Sequence, residues 1–596
     1  MDIINKKWSV IPSYSTVPHI FRTECRNMNG RSVQKAIRDE FQLWSADTPV
    51  FIEAPTGTGK TSFVYDSLIQ YALSQGKTVL LVSNRIALNE QQQKDLRTRF
   101  PDTNDSPDFR VSAFPKDVQQ YFVNRNIATV TYQGLAGFLK LLPPFESLIK
   151  SWGENLAYVV FDEVHFGYSD ALFNSNSGAI LSEAASVFRN AVRIYMTATP
   201  WQIAAEVVRN EVNTLFNPPQ FRLKDAVSYV PTADSLLKKS ELARLRERTM
   251  LYYKMEADYS DYRLHFFGDD LDYPELPPKH PLLSGIKKKS IRALLSHVYR
   301  TAKADNKWLI FVDNKNYGQM IRDRLNAVKI QAIYFDAETK KPKKVWDNLI
   351  TNQHFDCDVL IATPVIENGI NIWDNQVKNV AIFSIDRTTF IQELGRKRKS
   401  PYEIVNVWAL VPSEKNLAGL EKKIEWHLRI ADDLGHFSSY GKAVQLLWDD
   451  YQKSSYRALY YVDEAGKYHA NSYVERILRA KRDYIWELIR KQNYMDIVAG
   501  WLNGVVTVDF HESVPEQTSK LYDLLIHYKG QTLPDDAFKP IRQAIVDEVS
   551  ARRIEYIRDD RKDSLAPTTL NRFLQAMDLP FRVKKSKKQW EILPQE

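Results

Sequence analysis

The chain has 596 residues, too many for one hydrophobic core, and predicts roughly three or four domains. Its 44% hydrophobic and 26% charged residues exclude a largely disordered or fibrous protein. A net charge of +8 permits a polyanionic partner without requiring one. Two cysteines, Cys25 and Cys357, cannot build a disulfide framework or a cysteine-based zinc site. No apolar run approaches the roughly 20 residues needed to span a bilayer. The start, MDIINKKWSVIPSYS, lacks the apolar stretch of a secretory signal. A reducing cytoplasm is the expected location.

A first alternation of short apolar runs and helical stretches comprises strands at Val50–Glu53, Val79–Val82, Ala157–Phe161 and Val192–Met196. It stops near Phe216. Between it and the next block lie a polar helix around Leu236–Met250 and the aromatic alternation YYKMEADYSDYRLHFFGDD, which reads as a β-hairpin. A second alternation has strands at Trp308–Val312, Ile330–Phe335, Val359–Ala362, Val380–Ser384 and Val405–Leu410. Strands alternating with helices predict α/β domains with parallel sheets. Beyond Pro412, amphipathic helices are expected at Asn416–Leu434 and Tyr473–Lys491, with a hairpin in LYYVDEAGKYHANS. The end reads as a helix and a basic hairpin, RVKKSKKQWEI. That pair suits a winged-helix-like nucleic-acid contact or a solubilising tail. The predicted division is an N-terminal extension (1–29), a first domain (30–215), a connector with the hairpin (216–285), a second domain (286–412) and a C-terminal accessory region (413–596).

Ala54–Thr61 reads APTGTGKT between a strand and a helix, the context of a phosphate-binding loop. Gly57 and Gly59 let backbone N–H groups, with that of Thr58, cradle phosphate oxygens. Lys60 is placed to reach the β- and γ-phosphates of ATP, and the Thr61 hydroxyl to ligate Mg²⁺. About a hundred residues later the strand Leu156–Phe161 ends in Asp162-Glu163-Val164-His165. A carboxylate there lies on the edge where α/β folds bind ligands. Asp162 is the candidate Mg²⁺ ligand and Glu163 the candidate base for an attacking water.

APTGTGKT together with DEVH resembles the DExH-box helicases of superfamily 2. Further motifs follow in that family's order over residues 30–412. Ser83-Asn84-Arg85 and Val130-Thr131-Tyr132 resemble backbone-contacting motifs, and Met196-Thr197-Ala198-Thr199-Pro200 the S/T-A-T motif that couples ATP state to domain movement. Phe311-Val312-Asp313-Asn314, the run Thr363–Asn371 and Gln392-Glu393-Leu394-Gly395-Arg396-Lys397-Arg398-Lys399 resemble the fourth, fifth and sixth motifs. Gln34 fits the position from which the family reads adenine. Asn371 stands where the family often has Asp, Arg398 replaces a Gly, and Lys399 takes the place of the second arginine.

The resemblance implies two tandem RecA-like domains with ATP and Mg²⁺ between them and a mainly helical C-terminal region. It implies nucleotide contacts from Gly369 and Arg398, an arginine finger at Arg396 and a supporting Gln392. Nucleic acid would be met by Arg85, Thr131, Asn314 and Thr363, and coupling would pass through His165, Thr197 and Thr199. The expected activity is an ATP-dependent helicase or translocase, with DNA favoured over RNA as partner. Two alternatives stand beside it: a duplex-translocating ATPase of a restriction or defence complex, and a non-catalytic scaffold.

Overall fold

The computed structural model describes residues 22–28, 32–83, 92, 95–100, 126–140, 154–169, 171, 177–201, 203–216, 249–273, 275–277, 280–303, 305–336, 345, 348–349, 351–363, 371–400, 403–436, 459–462, 468–491, 493–508, 520–551, 565–577, 579, 581–587 and 589–594.

Seven strands form the first sheet: β1 (Arg22–Asn27), β2 (Val50–Glu53), β3 (Thr78–Ser83), β4 (Ile127–Thr131), β5 (Leu156–Phe161), β6 (Val192–Thr197) and β7 (Thr249–Lys254). Their order is β1-β7-β2-β6-β5-β3-β4, and every pairing is parallel. Such a sheet must be covered on both faces, which is why β3 and β6 are largely apolar and buried at every position, with Arg193 of β6 paired to Glu211. Alternate residues serve opposite faces: Leu80, Val159 and Phe161 point to one core, Leu81, Val160 and Ile194 to the other. The helices are α1 (Val33–Ile37), α2 (Lys60–Phe63), which continues as a π-helical stretch (Val64–Ile69) into α3 (Gln70–Ser74), α4 (Tyr132–Lys140), α5 (Phe166–Ser169), α6 (Ser177–Val187) and α7 (Ile203–Phe216).

The second sheet is β8 (Tyr262–Gly268), β9 (Lys307–Phe311), β10 (Ala332–Phe335), β11 (Val359–Ala362), β12 (Val377–Ile382), β13 (Val405–Val411) and β16 (Val506–Thr507), in the order β10-β11-β9-β12-β13-β8-β16. It too is wholly parallel. Its helices include α8 (Lys289–Thr301), α9 (Lys315–Ala327) and α10 (Arg387–Leu394). Two tandem RecA-like sheets are therefore present, as the sequence predicts.

The aromatic segment does not form the expected hairpin. β7 joins the first sheet between β1 and β2, whereas β8 joins the second beside β13. Both strands are apolar enough to lie inside a parallel sheet, so each completes a different lobe instead of pairing with the other. Thr249 and Met250, expected to end a helix, begin β7; the rest of that helix lies outside the described residues. The N-terminal extension likewise supplies β1.

The C-terminal region contains α11 (Glu414–His436), the hairpin β14 (Tyr460–Val462) with β15 (Tyr468–Ala470), α12 (Ser472–Lys491) and α13 (Tyr494–Trp501). Its apolar residues, among them Leu428, Tyr473, Ile477 and Leu488, belong to the same continuous core as Phe161 of the first lobe and Phe311 of the second. The end of the chain differs. It contains α14 (Lys520–His527), β17 (Thr532–Pro534), α15 (Asp535–Ala551), α16 (Pro567–Ala576), β18 (Phe581–Ser586) and β19 (Gln589–Pro594), around a separate core that includes Phe538, Phe573 and Trp590. The sheet order there is β17-β19-β18, antiparallel.

Candidate functional site

In the first sheet β2, β6 and β5 are neighbours, so the loops leaving their C-terminal ends converge. These loops carry the phosphate-loop motif, the TAT segment and the DEVH box. Gly57 and Gly59 have φ of 83° and 82°, left-handed values that favour glycine and turn successive N–H groups inward. Thr58 closes the loop by donating its hydroxyl to Pro55 O at 2.7 Å. Lys60 is buried and donates from Nζ to Ala54 O at 2.8 Å and Pro55 O at 3.2 Å. Burial pushes its pKa down, as do Arg398 and Arg396, while Glu163 and Asp162 oppose that shift. Thr61 is half-buried in the first turn of α2. Gln34 lies on α1, which touches the loop through Val33 N to Thr58 O at 3.0 Å, but its side chain is exposed.

Asp162 accepts the Glu163 N–H at 3.0 Å and the Gln92 amide at 3.2 Å, and its carbonyl accepts Tyr132 Oη at 3.0 Å. Burial, then the adjacent Glu163 carboxylate, push its pKa up to about 7. Burial alone would raise Glu163 as well, but the His165 hydrogen bond and the Lys60 charge outweigh it and hold that carboxyl well below the ordinary range. Glu163 has φ 50°, a left-handed conformation that costs a non-glycine residue about 1–3 kcal/mol. Strain at the residue expected to face a water is consistent with a functional position.

A line of polar contacts then crosses the cleft. His165 Nδ1 lies 3.2 Å from Glu163 Oε2 and 3.1 Å from Thr197 Oγ1. Thr197 Oγ1 lies 3.3 Å from Thr199 Oγ1 and accepts the Thr199 N–H at 2.9 Å. Gln392 of α10 donates from Nε2 to Thr199 Oγ1 at 3.3 Å, and its Oε1 accepts Arg396 Nη2 at 3.1 Å. Two further contacts join the lobes. A Cβ on Gly395 would come within 2.6 Å of Thr56 Oγ1, and one on Gly57 within 3.3 Å of Arg398 Nη1. Lys60, Glu163, Arg396 and Arg398 thus face one cleft, where three cations gather against two carboxylates.

The remaining expected residues are more dispersed. Thr131 ends β4 and accepts the Gly134 N–H at 3.0 Å. Asn314 is exposed and caps α9 by accepting the Asn316 N–H at 2.8 Å. Thr363 follows β11 and is buried. Arg85 and Gly369 lie outside the described residues. Sequence reasoning missed Gln92, the bidentate Asn371–Arg398 contact and the Arg387 guanidinium 3.7 Å above the Trp201 ring. Trp201 directly follows the TATP segment, the one signal that pointed toward it.

Residues 27–202 match the family described as type III restriction enzyme, res subunit, and residues 287–399 match the helicase conserved C-terminal domain. No curated protein matches the chain by sequence. Among solved structures, Mycobacterium smegmatis helicase Lhr bound to ssDNA and AMP-PNP is 17% identical with a TM-score of 0.38, over 63% of this chain and 46% of that one. The DUF1998 helicase MrfA bound to DNA is 15% identical with a TM-score of 0.43, over 75% and 55%. The Pyrococcus furiosus Hef helicase domain is 16% identical with a TM-score of 0.35, over 63% and 95%. The chain spans about half the length of the Lhr and MrfA structures. The first match lies on the first RecA-like sheet and the second on the second, and together they support a superfamily 2 helicase family for this chain.

Proposed function

We propose that the chain is a cytoplasmic ATP-dependent helicase or translocase of the DExH type that moves on DNA. The observation that carries this reading is the line of close polar approaches from Glu163 through His165, Thr197 and Thr199 to Gln392 and Arg396. It ties the candidate water-activating carboxylate of one lobe to the candidate arginine finger of the other, so hydrolysis and lobe separation cannot vary independently.

Lys60 holds the β- and γ-phosphates of ATP, the loop N–H groups from Gly57 to Thr61 cradle them, and Gln34 reads the base. Glu163 accepts the proton of the attacking water. Arg396, supported by Gln392, stabilises charge on the transferred phosphoryl group, a contribution of roughly 10³–10⁵ in rate for such a finger. Asp162 and the Thr61 hydroxyl are hard oxygen donors that suit Mg²⁺. Among the described residues no group of three or more His, Cys, Asp or Glu could hold a metal by itself, so phosphates and water would complete its shell. When bound, Mg²⁺ neutralises phosphate charge. His165, Thr197 and Thr199 couple that state to the cleft. Strand contacts come from Arg85, Thr131, Asn314 and Thr363, with Gly369 on the nucleotide side. The terminal unit, with sheet order β17-β19-β18 and exposed Arg582, Lys584 and Lys587, supports a winged-helix-like nucleic-acid contact.

ATPase turnover measured without nucleic acid, with single-stranded DNA and with single-stranded RNA is the test. DNA stimulates most, and Lys60→Ala abolishes hydrolysis while the fold persists. Unchanged turnover in Lys60→Ala rejects the reading. The match of residues 27–202 to a restriction-enzyme subunit family favours a second reading, duplex translocation without strand separation. Displacement of a triplex strand without unwinding of a fork would select it.

A further inference from the structure

Segment 396–398 runs extended along Ile372. Ile372 donates its N–H to Arg396 O and accepts the Arg398 N–H, both at 2.9 Å. In an extended segment alternate side chains face opposite ways. Arg396 and Arg398 therefore share the side that faces the phosphate loop. Lys397 and Lys399 face away and are occupied: Lys397 Nζ donates to Glu403 Oε1 at 2.9 Å, and Lys399 Nζ to Asp261 Oδ2 at 2.5 Å.

Arg398 is aimed by one neutral group. Asn371 Oδ1 accepts from both Nε, at 3.0 Å, and Nη2, at 2.8 Å, which leaves Nη1 at the edge of Gly57. A carboxylate at position 371 would hold the same fork but cancel its charge. An amide fixes the geometry and leaves the positive charge for an anion in the cleft.

We infer that Arg398, oriented by the amide of Asn371, is the second guanidinium meeting the terminal phosphate, and that Lys399, at the position where the family motif has its second arginine, is not. This rests on the ATP-hydrolysing reading above. It makes Asn371 a positioning residue whose neutrality matters as much as its shape. The one-residue displacement follows from the pairing with Ile372, which allows a second inward side chain at 398 and none at 399.

The experiment measures the affinities of the full chain for AMP-PNP and ADP, and ATP turnover, in wild type and three variants. Arg398→Ala lowers the AMP-PNP to ADP affinity ratio or the turnover by about 10- to 100-fold, the range for a charge-assisted contact. Asn371→Asp, nearly identical in shape, produces a loss of the same kind, and it separates a charge effect from misfolding. Lys399→Ala leaves the ratio and turnover within about twofold. The inference is overturned if Arg398→Ala stays within about twofold of an active wild type, or if Lys399→Ala loses as much as Arg398→Ala. It is also overturned if Asn371→Asp matches wild type. A wild-type chain that neither binds AMP-PNP nor hydrolyses ATP defeats the ATPase reading itself, and this inference with it.

Discussion

Gly395→Ala introduces a single methyl group at the seam between the lobes. The new Cβ would lie 2.6 Å from Thr56 Oγ1 and 3.1 Å from Thr56 Cγ2. Both branches of the threonine face it, so rotating one away brings the other in. Relief to an ordinary carbon–oxygen separation of roughly 3.3 Å requires about 0.7 Å of movement between α10 and the phosphate loop. A misplacement of about 1 Å can cost roughly a hundredfold in rate, so turnover should fall by about 10- to 100-fold, or about 1.4–2.7 kcal/mol. The assay is steady-state ATPase at saturating single-stranded DNA, run as a double-mutant cycle with Thr56→Ala. Removing the threonine branches should return most of the loss, which a simple folding defect in the second lobe would not allow. The reasoning is refuted if Gly395→Ala turns over at the wild-type rate, or if Thr56→Ala gives no rescue.

Two further outcomes follow from the cores. His297 and His265 pack against Trp408 in the second lobe, at ring separations of 4.3 Å and 4.1 Å. Burial pushes them down to about 3 and about 4. Their folded values lie below the unfolded one, so their contribution is complete above pH 6.5 and drains away as pH falls toward 4. Urea titrations at stepped pH should show a loss of about 5–6 kcal/mol over that window from the two groups together, and His297→Phe should roughly halve it; a curve equally steep in that variant counts against the assignment. In the terminal unit, Trp590 stacks on Phe538 at 4.2 Å and is fully buried. Trp590→Ala should cost that unit about 3–5 kcal/mol and split calorimetric unfolding into two transitions without changing basal ATPase. A single transition moving as one would contradict a separate terminal core.

Strands β2, β3, β5 and β6 were legible because a sheet buried on both faces demands nearly continuous apolar residues, and they fall within a residue or so of their predicted limits. The aromatic connector was misread for the same reason it folds as it does. Alternation marks a strand but not its partner, and β7 and β8 find theirs in sheets built from residues far away in sequence. Gln392 and Arg396 were offered only by resemblance to the family's sixth motif, whereas Lys60, Asp162 and Glu163 were readable as candidates from loops that leave strand ends. Gln92, Trp201 and Arg387 were not, since each matters only through a neighbour that the fold supplies. Arg398 stood between: its presence was visible, its direction was not, because that depends on a bridge to Ile372.

Helix α12 fastens to both lobes at once. Tyr473 Oη donates to Gly167 O at 2.9 Å and Arg476 holds Glu206, while eleven residues past Tyr473 the Tyr484 hydroxyl reaches Ile385 O at 3.1 Å. One anchor sits two residues beyond His165 and the other two residues ahead of α10. A crossbar pinned at both hinges of a jaw cannot stay indifferent when the jaw gapes: it must let go at one end or bend. Separating the lobes would therefore cost contacts at one end of α12 or the other, so the helix resists it.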